Sequence, residues 1–245
     1  MIQLDARVTY AEIEKKVGIH APAINTILHE HLSVHKVSAR WVPRQLTDEQ
    51  KVNRVEFCQT MLQRFDEGRS RMTENIITGD ETWVYMFDPE TKRQSQVWLF
   101  PGESTPQKFK RSRSVGKKMV ATFFSSKGHV ATLPVDDQRT VNADLHINHC
   151  IPSVLENWRK RRPKTGTRGL LWHHDNATPH KATATVAALT ENNVRILPHP
   201  PYSPDLAPCD FFLFPYVKER LRGIHFESPE DAVCAFERDI STVNK

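Results

Sequence analysis

Three aspartates have settings that suit a divalent-metal site. Asp80 lies within an apolar, β-branched stretch (TGDE), Asp175 follows a short apolar run (HHDNA), and Asp210 opens a predicted helix (SPDLAPCD). Transfer at a phosphodiester requires charge on the attacking and leaving oxygens to be neutralised together, which two divalent cations about 3.5 to 4 Å apart can do. Carboxylates are the protein ligands that such hard cations prefer. We therefore interpret the three aspartates as candidate catalytic residues and metal ligands.

Each of these aspartates has a simpler explanation when it is taken alone. Asp80 is compatible with a strand end, Asp175 with a helix N-cap beside Asn176, and Asp210 with an acidic residue that interacts favourably with a helix dipole. The active-site interpretation therefore depends on all three meeting at one place.

The elements around the aspartates predict an α/β fold. Strands are predicted near 76–86, 119–125 and 129–135 from their β-branched and aromatic residues. A helix (141–159), a strand (170–173), a helix (179–191), a strand (194–198) and two helices, near Asp210 and after Ser228, follow. This order predicts a ribonuclease-H-like mixed sheet flanked by helices. Asp80 on a central strand, Asp175 after the adjacent strand and Asp210 on a helix can then converge.

Two smaller parts precede this domain, which is predicted over 73–245. Residues 1–40 predict a partial helix-turn-helix, because Thr9 and Glu12 form a capping box, Gly18 makes a turn and a second helix follows at 22–32. Any small helical hairpin would give the same pattern. Residues 41–72 predict a linker with a Trp41-Val42-Pro43 turn and an amphipathic helix at 47–65. The apolar stripe of that helix is compatible with core packing or with a dimer contact.

A long insertion separates the first two predicted strands, at 88–118. Long loops within compact domains are usually functional or disordered. This one is basic, and contact with DNA or with a neighbouring subunit and a solvated loop both remain open. Its cations are Lys108, Lys110, Arg111, Arg113, Lys117 and Lys118.

Composition restricts the class of protein. The net charge of +5 and the pI near 9.0 suggest an anionic partner, although charge alone is weak evidence for nucleic-acid binding. No apolar run is long enough to span a membrane, and no secretion signal is present, so we expect a soluble intracellular protein. The four cysteines lack a CxxC pair, which argues against a zinc ribbon. His146, His149 and Cys150 are close in sequence but lack a second ligand pair, so we predict no zinc site there.

The chain resembles the mariner family of transposases from about Thr9 to its end. Asp175 and Asp210 are separated by 34 residues, which is the spacing typical of that family. The resemblance also includes Trp41-Val42-Pro43 with Leu46, which is similar to the family's linker motif, and the 88–118 insertion, which resembles its clamp loop. The motifs that carry it are Thr78-Gly79-Asp80-Glu81, His174-Asp175-Asn176-Ala177 with His180, and Tyr202-Ser203-Pro204-Asp205-Leu206-Ala207-Pro208 followed by Asp210.

The resemblance implies a nuclear, dimeric enzyme that binds the inverted repeats at the ends of a double-stranded DNA element. Such an enzyme cuts both strands with Mg²⁺ or Mn²⁺ and joins the 3′-hydroxyl ends at a TA target. Asp80, Asp175 and Asp210 correspond to its catalytic metal ligands. Because the family has two tandem helix-turn-helix units, we expect a truncated copy. The alternative is a catalytically silent DNA-binding or dimerising protein derived from a transposase.

Overall fold

The computed structural model describes residues 1–37, 44–104, 114, 116–135 and 141–243. The chain divides into two compact units, Met1–Gln45 and Leu46–Lys245. The predicted Trp41-Val42-Pro43 turn and the insertion cations Lys108, Lys110, Arg111 and Arg113 lie outside the described residues. None of the helices in the described part is long and apolar enough to span a bilayer.

The first unit contains two helices joined by a glycine turn. Helix α1 (Tyr10–Val17) starts with the predicted capping box, in which Thr9 accepts from the Glu12 N–H and the Glu12 side chain accepts from the Thr9 N–H. It ends at Gly18, whose left-handed backbone (φ 73°) suits glycine. Helix α2 (Ala21–Thr26) continues as a π-helical turn (Ile27–His31), so the second predicted helix is confirmed.

The second unit begins with the predicted linker helix and continues into a five-stranded mixed sheet. Helix α3 (Asp48–Arg64) is capped by Thr47 and Gln50, and most of its apolar stripe is exposed or half-buried, with Val52, Val55 and Leu62 exposed. The strands are β1 (Ile76–Tyr85), β2 (Lys117–Ser125), β3 (Gly128–Val135), β4 (Leu171–His173) and β5 (Arg195–Leu197). Their order in the sheet is β3-β2-β1-β4-β5. Strand β1 pairs antiparallel with β2 and parallel with β4, which confirms the ribonuclease-H-like mixed sheet.

Helices cover both faces of this sheet. These helices are α4 (Ala143–Leu145), α5 (Ile151–Arg161), α6 (Thr178–Lys181), α7 (Thr183–Glu191), α8 (Phe214–Leu221) and α9 (Pro229–Ser241). The π turn His146–Cys150 joins α4 to α5, and the π turn Cys209–Leu213 leads into α8. Short 3-10 turns lie at Asp66–Gly68, Arg71–Asn75 and Pro204–Leu206.

Two apolar layers hold the helices against the sheet. On one face Phe123 and Trp172 pack with residues of α5 and α7, and on the other Val120 packs with α8 and α9. Because side chains alternate along a strand, Val120 and Phe123 on β2 point to opposite faces. The sheet therefore has buried residues on both sides, as its short apolar strands predict.

Two details differ from the sequence expectations. Lys117 and Lys118, assigned to the insertion, are the first residues of β2, where Lys117 lies 4.2 Å above the Trp83 ring and Lys118 Nζ lies 2.6 Å from Glu230. The single helix expected at 179–191 is two helices, because Ala182 adopts an extended backbone between α6 and α7.

Candidate active site

The sheet register brings Asp80, in the middle of the central strand β1, near Asp175, which follows the end of the neighbouring strand β4. Thr78 of β1 lies opposite His173 of the parallel strand β4. Asp80 follows Thr78 by two residues, and Asp175 follows His173 by two residues. Side chains two apart on a strand project to the same face, so Asp80 points to the same face as Thr78, whereas Asp175 lies beyond the end of β4. Asp210 lies in the π turn before α8, and this π turn packs against β1.

The three aspartate carboxylates are close enough for their charges to interact. Burial first, and then the negative charges of Glu81, Asp210 and Asp175, raise the pKa of Asp80 to about 7. The Glu81 N–H, 2.7 Å from Asp80 Oδ1, acts in the opposite direction. Burial and the charge of Asp175 also raise the pKa of Asp210, against a lowering effect of Lys218. We call Asp80, Asp175 and Asp210 the three-aspartate site.

Asp175 differs from the other two aspartates because hydrogen bonds hold its charged form. Burial raises its pKa, but His180 Nδ1 at 2.6 Å and the Ala177 N–H at 2.9 Å donate to Oδ1, and the net pKa is lowered. These two donors also fix the orientation of the carboxylate.

His180 connects the three-aspartate site to the buried side chains of Glu81, His146 and His174. Burial lowers the pKa of His180, but Asp175 and Glu81 outweigh this effect and raise it to about 10. Burial raises the pKa of Glu81, whereas His146 and His180 lower it, to about 2 overall. The His174 ring stacks on the His180 ring at 4.8 Å, and burial together with the charge of His180 lowers the pKa of His174 to about 3. The negative charge of Glu81 acts in turn on the aspartates, because it has a raising effect on the pKa values of Asp80 and Asp175.

The donor set of the three-aspartate site suits hard divalent cations. Asp80 and Asp210 have raised pKa values because they are buried and because negative charges are crowded together, and a bound cation would relieve that crowding. The site offers oxygen ligands from three segments, which matches the needs of Mg²⁺ or Mn²⁺. Sequence reasoning did not identify Lys218, a residue of α8 whose charge acts on Asp210.

Sequence reasoning also missed the part played by His146. It was grouped with His149 and Cys150, but His149 is exposed, and burial raises the pKa of the Cys150 thiol to about 12. His146 instead faces Glu81, with His146 Nε2 3.3 Å from Glu81 Oε1. No local pattern joins these residues, because they are brought together by packing of the α4–α5 segment on β1.

The chain is similar in sequence to a family of transposases and to two larger proteins. Residues 88–168 match the family described as Transposase (partial DDE domain). The chain is 28% identical over 243 residues to the human histone-lysine N-methyltransferase SETMAR, covering 99% of this chain and 34% of that protein. It is 27% identical over 236 residues to the mariner Mos1 transposase of Drosophila mauritiana, covering 94% of this chain and 65% of that protein. The chain thus spans about a third of the length of SETMAR and just under two thirds of the length of the Mos1 transposase.

Solved structures of Mos1 have the same architecture. The Mos1 paired end complex with Mg aligns with a TM-score of 0.75 and 27% identity, covering 99% of this chain and 69% of that one. The paired end complex with Mn gives a TM-score of 0.74 and 28% identity, covering 98% and 68%.

Proposed function

We propose that this chain, which belongs to the mariner family of DNA transposases, cuts DNA strands and transfers their ends with the help of divalent cations. The observation that carries the proposal is the mutual interaction of the Asp80, Asp175 and Asp210 charges, which together with burial raises the pKa values of Asp80 and Asp210. A site in which carboxylates repel one another is costly unless a cation is bound to it.

Asp80, Asp175 and Asp210 would hold two Mg²⁺ or Mn²⁺ ions, which would supply charge neutralisation at the attacking and leaving oxygens of the phosphodiester. The Mos1 structures with Mn and with Mg support this choice of ions. Asp175 is presented in a fixed orientation by His180 and the Ala177 N–H. Asp80, with a pKa of about 7, must release its proton to act as a ligand. In the chain without bound metal, His180 stays protonated at neutral pH because its pKa is about 10, so it positions Asp175 and does not act as a base.

A plasmid-nicking assay tests the catalytic proposal. Supercoiled plasmid is incubated with the purified chain in Mg²⁺ or Mn²⁺, beside Asp80→Ala, Asp175→Ala and Asp210→Ala. Asp205→Asn is the matched control, because it lies in the same segment as Asp210 but its carboxylate pairs with Arg54. We expect nicking by the wild type and by the control only. Equal nicking by all variants, or no nicking by the wild type, would contradict the proposed enzymatic function.

The second candidate is a DNA-binding protein without catalytic activity. It is favoured if the chain binds double-stranded DNA but leaves plasmid intact in both metals. Phosphate-dominated binding should weaken steeply as salt rises, so gel shifts between about 50 and 200 mM salt measure it. The proposed substrate is an inverted-repeat DNA end, which is joined at a TA target; the solved Mos1 paired-end complex with a left transposon end supports this choice.

A homodimer is the proposed assembly. Residues 97–100 of the insertion, Val-Trp-Leu-Phe, are exposed, with Trp98 fully so and Phe100 at 78%. Contiguous exposed apolar side chains are typical of protein interfaces. Sedimentation analysis should give a dimer for the wild type on DNA and a shift toward monomer for Trp98→Ser, whereas an unchanged distribution would count against this contact.

We propose that the chain acts in the nucleus. Its relatives come from Homo sapiens and Drosophila mauritiana, whose chromosomal DNA lies there. Microscopy of a fluorescently tagged chain tests this location, and exclusion of the tag from nuclei would contradict it.

A further inference from the structure

Glu81, His146 and His180 form a buried cluster beside the three-aspartate site. Glu81 is on β1, His146 is in the π turn after α4, and His180 is in α6. One ligand atom from each residue lies within 4.8 Å of the others. The side chains are 12%, 3% and 2% exposed, respectively. We propose that this cluster binds one transition-metal ion of the zinc type, at a position separate from the three-aspartate site.

The separations between the ligand atoms fit a tetrahedral ion. His146 Nε2 lies 3.3 Å from Glu81 Oε1, and His180 Nε2 lies 3.4 Å from Glu81 Oε2. Zinc bonds to nitrogen and oxygen are about 2.0 to 2.1 Å long, so neighbouring ligands of a tetrahedral ion are about 3.3 to 3.4 Å apart. An N–H···O hydrogen bond is shorter, commonly about 2.9 Å. Each of the two imidazole nitrogens therefore lies at ligand-to-ligand spacing from one oxygen of Glu81, and one ligand atom from each of the three residues lies within 4.8 Å of the others.

Two atoms of the cluster have unmet hydrogen-bonding capacity. Glu81 Oε1 and His146 Nε2 are buried, face each other at 3.3 Å without hydrogen-bond geometry, and have no other hydrogen-bond partner among the described residues. Leaving such buried polar groups without a partner is unfavourable. A metal ion bound by both would remove the cost, because each would donate its lone pair to the ion.

The surroundings of His180 match those of a metal-binding histidine. Its Nε2 faces Glu81, while its Nδ1 lies 2.6 Å from Asp175 Oδ1. On binding, the ion would displace the Nε2 proton to solvent, and Nδ1–H would stay on Asp175. Metal-bound histidines commonly donate their other N–H to a carboxylate, which fixes the tautomer and the ring orientation. Two imidazole nitrogens and one carboxylate select zinc or its neighbours over Mg²⁺. The ion would fasten β1, the α4–α5 segment and α6 together behind Asp175.

A zinc-binding titration of the whole chain tests the proposal. Metal is removed with a chelator, and Zn²⁺ is then titrated in competition with a chromophoric indicator. His29→Ala is the background, because the Nδ1 atoms of His29 and His35 lie 3.2 Å apart and offer another place for zinc. We expect one equivalent of Zn²⁺, and Co²⁺ in its place should give the visible absorption of a tetrahedral site.

Variants separate this site from other zinc-binding groups. We expect the affinity for Zn²⁺ to fall in His146→Ala and in Glu81→Gln. The decrease should exceed the roughly 10- to 100-fold that follows the loss of a residue hydrogen-bonded to a metal ligand. His149→Ala, on the same helical segment but exposed, and Asp210→Asn, in the three-aspartate site, should keep full affinity. Circular dichroism checks folding. If His146→Ala unfolds, the nearly isosteric Glu81→Gln decides.

Three outcomes would overturn the proposal. The first is that the folded His29→Ala background does not bind Zn²⁺ at micromolar concentration. The second is that Glu81→Gln binds Zn²⁺ as tightly as the background does. The third is that Asp210→Asn weakens Zn²⁺ binding. The measurement does not depend on DNA cleavage, so the zinc site and the proposed transposase activity can fail independently of each other.

Discussion

Replacing Asp80 by asparagine should stabilise the metal-free protein at neutral and alkaline pH. The folded chain holds the Asp80 proton up to about pH 7, whereas the unfolded chain releases it near the ordinary value of 3.8. Stability therefore falls as pH rises through this interval and is constant above it. At about 1.4 kcal/mol per pH unit, the loss in the wild type reaches up to about 4 kcal/mol. The free energy of unfolding of Asp80→Asn should not decrease in this way, because the asparagine side chain cannot ionise.

The assay is urea unfolding followed by tryptophan fluorescence, in EDTA, between pH 4 and pH 8.5. The free energy of unfolding of Asp80→Asn minus that of the wild type should be near zero at pH 4. It should grow toward its maximum above pH 7. A difference that does not change with pH, or that favours the wild type at high pH, would refute the reasoning.

A matched variant in the same site should behave in the opposite way. The pKa of Asp175 is lowered by its bonds from His180 and Ala177, despite its burial, so its charge stabilises the folded state. Asp175→Asn should therefore destabilise the metal-free protein at pH 8, and the difference should shrink as pH falls. If both variants shift stability in the same direction, a general effect of removing charge would explain them better.

Three further predictions concern stability. Gly79→Ala should cost about 1 to 3 kcal/mol in thermal unfolding, because a Cβ at this position would overlap the Phe123 ring, and an unchanged melting temperature would contradict that overlap. Arg54 and Asp205 form a two-contact ion pair at 2.8 and 2.5 Å, but the Asp205 side chain is 61% exposed, so a double-mutant cycle should give no more than about 1 kcal/mol of coupling. The pKa of His180, raised from 6.5 to about 10, predicts that the wild type loses stability as pH rises between these values, and His180→Asn should lack that loss in unfolding titrations across this range.

Local sequence signals predicted most of the elements because their causes are local. The capping boxes at Thr9 and Thr47 satisfy N–H groups three residues away, so the starts of α1 and α3 could be read directly. Ser228 and Pro229 mark the start of α9 in the same way. The boundary of the insertion was wrong at Lys117, because pairing with Tyr85 of β1 extends β2 beyond its apolar residues.

The amino-acid sequence by itself determined the residue types, the order of strands and helices, and the three aspartates that their motifs single out. It could do so because caps, β-branched runs and short motifs act over a few residues. Only the tertiary structure decided that Asp80 takes a pKa near 7, that His180 holds Asp175, and that His146 faces Glu81 rather than acting with His149. These properties depend on burial and on distances between segments far apart in the chain. Such distances are fixed by sheet register and by helix packing.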